Sequence, residues 1–259
     1  MERLGNHYKK TGITVNTLRI WATLFLAAGV LGRGVIRNHI LGASGMGIQQ
    51  LLQLMQTSET AMNYGAMSLA LQALEACAVP LYVYLLVEGV VHTSDFRKYF
   101  FRVLTTAVIT EIPYNLALGK GVLDFGSRNP VFGLVLAMVM IYFYRRYSEP
   151  GMQNLCVKVL VTLAGCVWVE KLGIEFGMPV LVLTAVMWGT RNKGVHRNLA
   201  GGIASAACSV FSILFLASPV AFIAIHMCNG EKGEDSRTVN YLMYPGILLI
   251  AFAAVRMLL

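Results

Sequence analysis

Residues 65–91 read GAMSLALQALEACAVPLYVYLLVEGVV, with Glu75 and Glu88 as the charged side chains. The run exceeds the roughly 20 apolar residues that carry a helix across a hydrocarbon layer. In lipid every backbone N–H and C=O has to be satisfied within the segment, which leaves a helix as its form. Further apolar blocks stand at 17–38, 98–118, 130–147, 154–173, 175–190, 199–215, 217–229 and 237–258. The expected fold is therefore all-α: a polytopic transmembrane helix bundle of about nine spans, forming one domain over residues 1–259. The blocks at 199–215 and 217–229 are the weakest of these, with a turn expected at Ala217-Ser218-Pro219, where Ser218 can cap and Pro219 can open a helix.

Composition agrees with a lipid-facing chain, since 56% of the 259 residues are apolar and 13% charged, too little polar surface to enclose one soluble core. Met1–Lys10 is polar and basic, and the apolar stretch after it passes Leu31 without a small-residue cleavage site, so the first helix is read as retained. With the amino terminus placed in the cytosol, fifteen Lys and Arg fall on the inner side and six on the outer. The net charge of +8 is then a matter of topology and does not call for a nucleic-acid partner. The five cysteines lie in or at the ends of apolar blocks with no C-x-x-C spacing, which suits packing better than metal binding or disulfides. Residues 42–64 carry no Lys or Arg and place Ile48, Leu51, Leu52 and Met55 at helical spacing, an amphipathic segment expected on the outer face. Walker A, G-x-G-x-x-G, H-E-x-x-H and G-x-S-x-G patterns are absent, which disfavours ATP coupling and zinc proteolysis.

Ionisable groups inside spans cost several kcal/mol unless paired or hydrated, so they mark candidate sites. Glu88 and His92 stand four residues apart at the cytosolic end of the second span, where a carboxylate can orient an imidazole as a general base. The following stretch, SDFRKYFFR (94–102), offers Ser94 or Asp95 as a helix cap and Arg97, Lys98 and Arg102 as cations that topology alone accounts for or that hold the phosphates of a cofactor. Glu111 precedes Pro113 in the third span, and Arg128 and Asn129 across the short outer loop can pair with it. His226 lies one turn before the cytosolic Asn229-Gly230 turn, on the same side as His92, so the two imidazoles are expected to share an inward-opening cavity. Glu75 and Pro80 in the second span and Glu170 in the fifth are further candidates for buried polar positions, without a nameable partner.

The stretches LLVEGVVHTSDFRKYFFRVL (85–104), ITEIPYNLAL (109–118), RNPVFGLVL (128–136), EFG (175–177) and IHMCNGEKG (225–233) resemble, in order, those of the TraX family of membrane proteins. The resemblance implies a bacterial inner-membrane protein with a fold related to larger polytopic acyltransferases. It implies transfer of an acetyl or other acyl group from acyl-CoA to an amine, as in conjugative pilin, or to a hydroxyl of a peptide, glycan or lipid. His92 with Glu88, and His226, would be catalytic; Arg97, Lys98 and Arg102 would bind CoA; Glu111, Arg128, Asn129 and Asn229 would line a cavity or brace it. No metal is implied. The family's Asp-His pair in the first span is replaced by Gly29 and Val30, and Tyr244-Pro245 is followed by Gly246 where the family places a late His. An alternative follows: a relative without transferase chemistry, serving as a transporter, binding protein or scaffold.

Overall fold

The computed structural model describes residues 12–234, apart from 120, 123 and 125, and residues 237–258. The basic tail Met1–Lys10 lies outside the described residues. The chain is all-α, its described residues containing isolated backbone bridges but no strand. Helix α1 spans Val15–Val30 and runs on into a widened π-helical stretch, Leu31–Ile40; α2 spans Ile48–Met55, α3 Glu59–His92, α4 Phe96–Leu118 and α5 Val131–Arg146. Then come α6 Met152–Leu172, α7 Gly177–Gly189, α8 Val195–Ala207, a 3-10 stretch Ile213–Val220 leading into α9 Ala221–His226, and α10 Arg237–Leu258.

The caps explain where these helices begin. The Thr14, Ser58 and Asp95 side chains accept from the N–H groups of Thr17, Ala61 and Lys98 at 3.2, 3.1 and 3.0 Å, satisfying donors that a first turn leaves free. Gly173 closes α6 at φ +61, a backbone state that suits a residue without Cβ.

Helix α3 is the axis of the bundle, packed by α1, α2, α5, α7, α9 and the 213–220 stretch. Helix–helix association in lipid rests on close packing instead of water release, and small residues permit it. Gly32 is such a point: a Cβ there would lie 2.8 Å from the Cβ of Leu71, and its carbonyl accepts from Ser68 Oγ at 2.8 Å. Pro80 and Pro113 sit inside α3 and α4, which run through them without a break.

Among the described residues three helical segments are long and apolar enough to cross a membrane by themselves: 15–40, 59–92 and 239–257. The count of about nine spans is thus not reproduced; 177–189 and 213–226 are apolar but shorter. Their outer faces are nonetheless apolar. Leu160, Leu163, Val167 and Trp168 of α6 are each at least 57% exposed, which fits a surface meeting lipid and not water.

Two expectations change. The turn in 199–229 comes at 208–212 and not at Ala217-Ser218-Pro219. Pro219, whose missing N–H would break an α-helix interior, sits where the 3-10 stretch passes into α9. Ser218 is an interior contact, bonded to Ser205 of α8 at 2.5 Å and donating to Phe215 O at 2.6 Å. The 42–64 segment divides into α2, a turn at 56–58 and the first turn of α3.

Candidate functional site

A cavity of about 590 Å³ opens where α3 passes into α4. Its mouth is cationic, with Arg19, Lys98, Arg102 and Lys232, beside His92, Ser94 and Asp95. Its depth is apolar and aromatic, with Leu26, Ala78, Tyr82, Val131, Phe176 and Tyr244. Asp95, the cap of α4, is held below the usual carboxylate range by the backbone N–H of Lys98 and then by the Lys98 side chain. Arg102 lies over the Tyr99 ring at 5.8 Å. The Tyr82 hydroxyl is bonded to Thr23 at 3.0 Å, whereas the Tyr244 hydroxyl, in a residue 7% exposed, has no hydrogen-bond partner among the described residues.

Beyond this floor lies a buried ionic network. Arg33 reaches Glu75 Oε1 through Nη2 at 2.5 Å and Glu175 Oε1 through Nη1. The Tyr114 hydroxyl donates to Glu175 Oε2 at 2.9 Å and bonds Ser127 Oγ at 2.8 Å. Phe176, the non-glycine residue at positive φ (54°), lays its ring 5.4 Å from the Arg33 guanidinium carbon. Strained backbone of this kind persists where the surroundings enforce it, and here Glu175 and Phe176 grip one arginine from two sides. Glu75 is 1% exposed, so Arg33 offsets the cost of a charge that water does not reach. A second, polar cavity of about 230 Å³ meets the far side of the network, between the 31–40 stretch, the end of α4 and the 124–127 loop.

The residues expected from sequence are dispersed over these features. His92, Lys98 and Arg102 line the first cavity; Arg97 is exposed and outside its wall. Glu88 lies 3.5 Å from His92 Nδ1, but its tighter partner is Arg197 of α8 at 2.6 Å, whose guanidinium also stacks on Tyr84 at 4.9 Å. His226 is exposed at the end of α9, 3.4 Å from Asn198, and does not share the cavity with His92. Glu111 is bonded to Arg128 at 2.9 Å and to Asn129 Nδ2 at 2.6 Å, and Asn129 also donates to Ala107 O, which braces the 128–130 loop against α4. Asn229 shapes a turn: its N–H donates to Ile13 O at 2.9 Å and its side chain accepts from Glu231 N at 2.9 Å. Glu170 is exposed near the end of α6 and is not a buried charge. Among the described residues no group of His, Cys, Asp and Glu is arranged to hold a metal.

Sequence reasoning passed over the partners of Glu75, the grip on Arg33 and the orphan hydroxyl of Tyr244. A usable signal stood in LGRGVIRN (31–38), where Arg33 and Arg37 are four residues apart inside an apolar block.

Residues 46–256 match the family model described as TraX protein. The chain belongs to the TraX family. No curated protein and no solved structure matches the chain beyond that. The TraX match starts after α1, so Gly29 and Val30 lie outside it. Within the matched residues, 109–118 and 175–177 supply Tyr114, Glu175 and Phe176 of the network, and Glu111, Arg128 and Asn129 brace the 128–130 loop, whereas Arg33 lies outside the match. At Gly29 an added Cβ would collide with the Glu75 side chain. A carboxylate from α3 thus fills the room that a side chain at 29 would need.

Proposed function

We propose that this TraX-family protein is a membrane-embedded acyltransferase that takes an acyl group from acyl-CoA, acetyl-CoA foremost, and passes it to an amine or hydroxyl of a peptide, glycan or lipid. The observation that carries this reading is the first cavity, with four cations at its mouth and aromatic and aliphatic walls at depth. Its volume of about 590 Å³ falls within the roughly 300–1,000 Å³ of small-molecule sites. The proposed setting is a bacterial inner membrane with the mouth toward the cytosol.

Lys98 and Arg102, with Arg19 and Lys232, would hold the phosphates by charge, and the apolar depth would take the pantetheine arm. Bound there, acyl-CoA supplies a thioester-activated acyl group, and transfer forms a C–N or C–O bond to the acceptor while the C–S bond breaks. His92 stands among the phosphate-binding cations, one helix junction from Lys98, so its proposed part shifts from base at the thioester to a group at the mouth, oriented by Glu88. At depth Tyr244 lines the wall with its hydroxyl buried and unpartnered among the described residues, and on turning toward the cavity it would donate to the carbonyl oxygen as charge develops there.

The test is a thermal-unfolding titration of the purified protein with CoA, alongside transfer of labelled acetyl from acetyl-CoA. Saturable stabilisation by CoA is expected, weakened about ten-fold or more in Lys98→Ala/Arg102→Ala. Tyr244→Phe is expected to lower turnover with CoA affinity kept. Absence of CoA stabilisation in the wild type overturns the reading. A second reading, a relative that binds CoA without transfer, is favoured by the occupation of the space at Gly29 by Glu75, and stabilisation without turnover would select it.

A further inference from the structure

The second cavity is not used by the reaction above. At about 230 Å³ it is smaller than the roughly 300 Å³ at which drug-sized pockets begin, so it suits a single headgroup and not a nucleotide. Two arginines face it from the π-helical stretch, whose wide turns set Arg33 and Arg37 on one side of the backbone. They differ in their partners. Arg33 is matched by Glu75 and Glu175. Arg37 makes no ion pair among the described residues; its hydrogen bond is a long one, 3.4 Å from Nη1 to Gln72 Oε1, and its Nε is buried without a partner.

The opposite wall repeats this incompleteness. Asn115 is 1% exposed, its Nδ2 reaches Val122 O at 3.5 Å, and its Oδ1 has no donor among the described residues. The carboxylates on the wall are engaged: Glu175 by Arg33 and Tyr114, and Asp124 through Oδ1, which accepts from Gly126 N at 2.8 Å. Arg37 and Asn115 both line this polar cavity, and each carries a buried unpaired atom just under the wall; with a small turn of either side chain they describe the complement of a ligand with an anionic oxygen at one side and a hydroxyl donor at the other. A ligand that pairs such groups recovers the cost of leaving them unpaired.

We propose that this cavity is a binding site for a phosphate-type oxyanion carrying a hydroxyl, with Arg37 as its main anchor and Asn115 as acceptor from the hydroxyl. The proposal is independent of the acyl-transfer reading. Two sources share the chemistry: a phosphoglycerol lipid headgroup entering from the bilayer, and free phosphate.

Thermal unfolding of the purified full chain in neutral detergent, titrated with inorganic phosphate, with dioctanoyl phosphatidylglycerol and with dioctanoyl phosphatidylcholine, separates them. Expected is a saturable rise in Tm with phosphate, with the phosphatidylglycerol or with both, and little with phosphatidylcholine. Response to the phosphatidylglycerol alone identifies the headgroup; response to phosphate identifies a soluble anion. Arg37→Gln is expected to weaken the apparent affinity about ten-fold or more. Should Arg37→Gln fail to fold, Ser44→Glu sets a carboxylate at the exposed rim of the same cavity and is expected to weaken the response as well. No response in the wild type, an equal response to phosphatidylcholine, or an unchanged affinity in the folding variant overturns the proposal.

Discussion

The mouth of the first cavity and the network behind its floor both join acidic and basic side chains, yet they are built on opposite terms. At the mouth Lys98 and Asp95 are neighbours in sequence and stand toward solvent: Lys98 is 82% exposed and Asp95 is three residues away, at 3.3 Å. In the network Arg33 and Glu75 are 42 residues apart and 16% and 1% exposed. Solvent-exposed pairs contribute about 0–1 kcal/mol, whereas removing one member of a buried pair strands the other and costs several times that. The mouth is therefore free to exchange its partners for a ligand, and the network is committed to holding the 31–40 stretch, α3 and the 173–176 loop together.

That contrast can be broken experimentally. The largest effect is expected from Glu75→Ala, which leaves Arg33 half-compensated: a loss of about 3–5 kcal/mol in unfolding free energy, read by thermal or denaturant unfolding in detergent. A loss no greater than that of Lys98→Ala would erase the distinction. Next comes Gly29→Ala, whose Cβ pushes on the Glu75 side chain and is expected to cost about 1–3 kcal/mol. Combined with Glu75→Ala the two should fall short of additive, because the collision disappears with the glutamate. The smallest effect belongs to Asp95. Its folded-state pKa lies below the ordinary value of 3.8, so the stabilisation it gives is present above that value and is lost as the pH falls through the lower, folded-state one. Asp95→Asn keeps a capping oxygen and should remove this component from the acid limb of a stability-versus-pH curve while leaving neutral stability near wild type.

The helices were legible because each is a run of apolar residues, and every predicted block has a helical counterpart; α3 extends the 65–91 run back to Glu59 through the Ser58 cap. The break at 208–212 was not legible, because Cys208-Ser-Val-Phe-Ser212 contains neither Gly nor Pro, and Pro219 drew the turn to itself. The mouth could be read from the chain because Lys98 and Arg102 follow His92 directly. The network could not: Arg33 was counted with the outer charges, while Glu75 and Glu175 lie on elements whose meeting depends on the tertiary fold. The pairing of Glu88 with Arg197, 109 residues on, escaped for the same reason.

The arrangement of the two cavities has an electrical consequence. Along α4 the first cavity reaches Thr106 and the second begins at Tyr114, a separation of about 12 Å at 1.5 Å per residue. Were the two cavities to open on opposite faces of a bilayer with about 30 Å of hydrocarbon, and to fill with water, most of an applied voltage would drop across that short partition. One elementary charge crossing the full potential exchanges about 2.3 kcal/mol per 100 mV. Arg33 and Glu75 would then sit at the steepest point of the field, where even a small displacement of charge would register as a capacitive current.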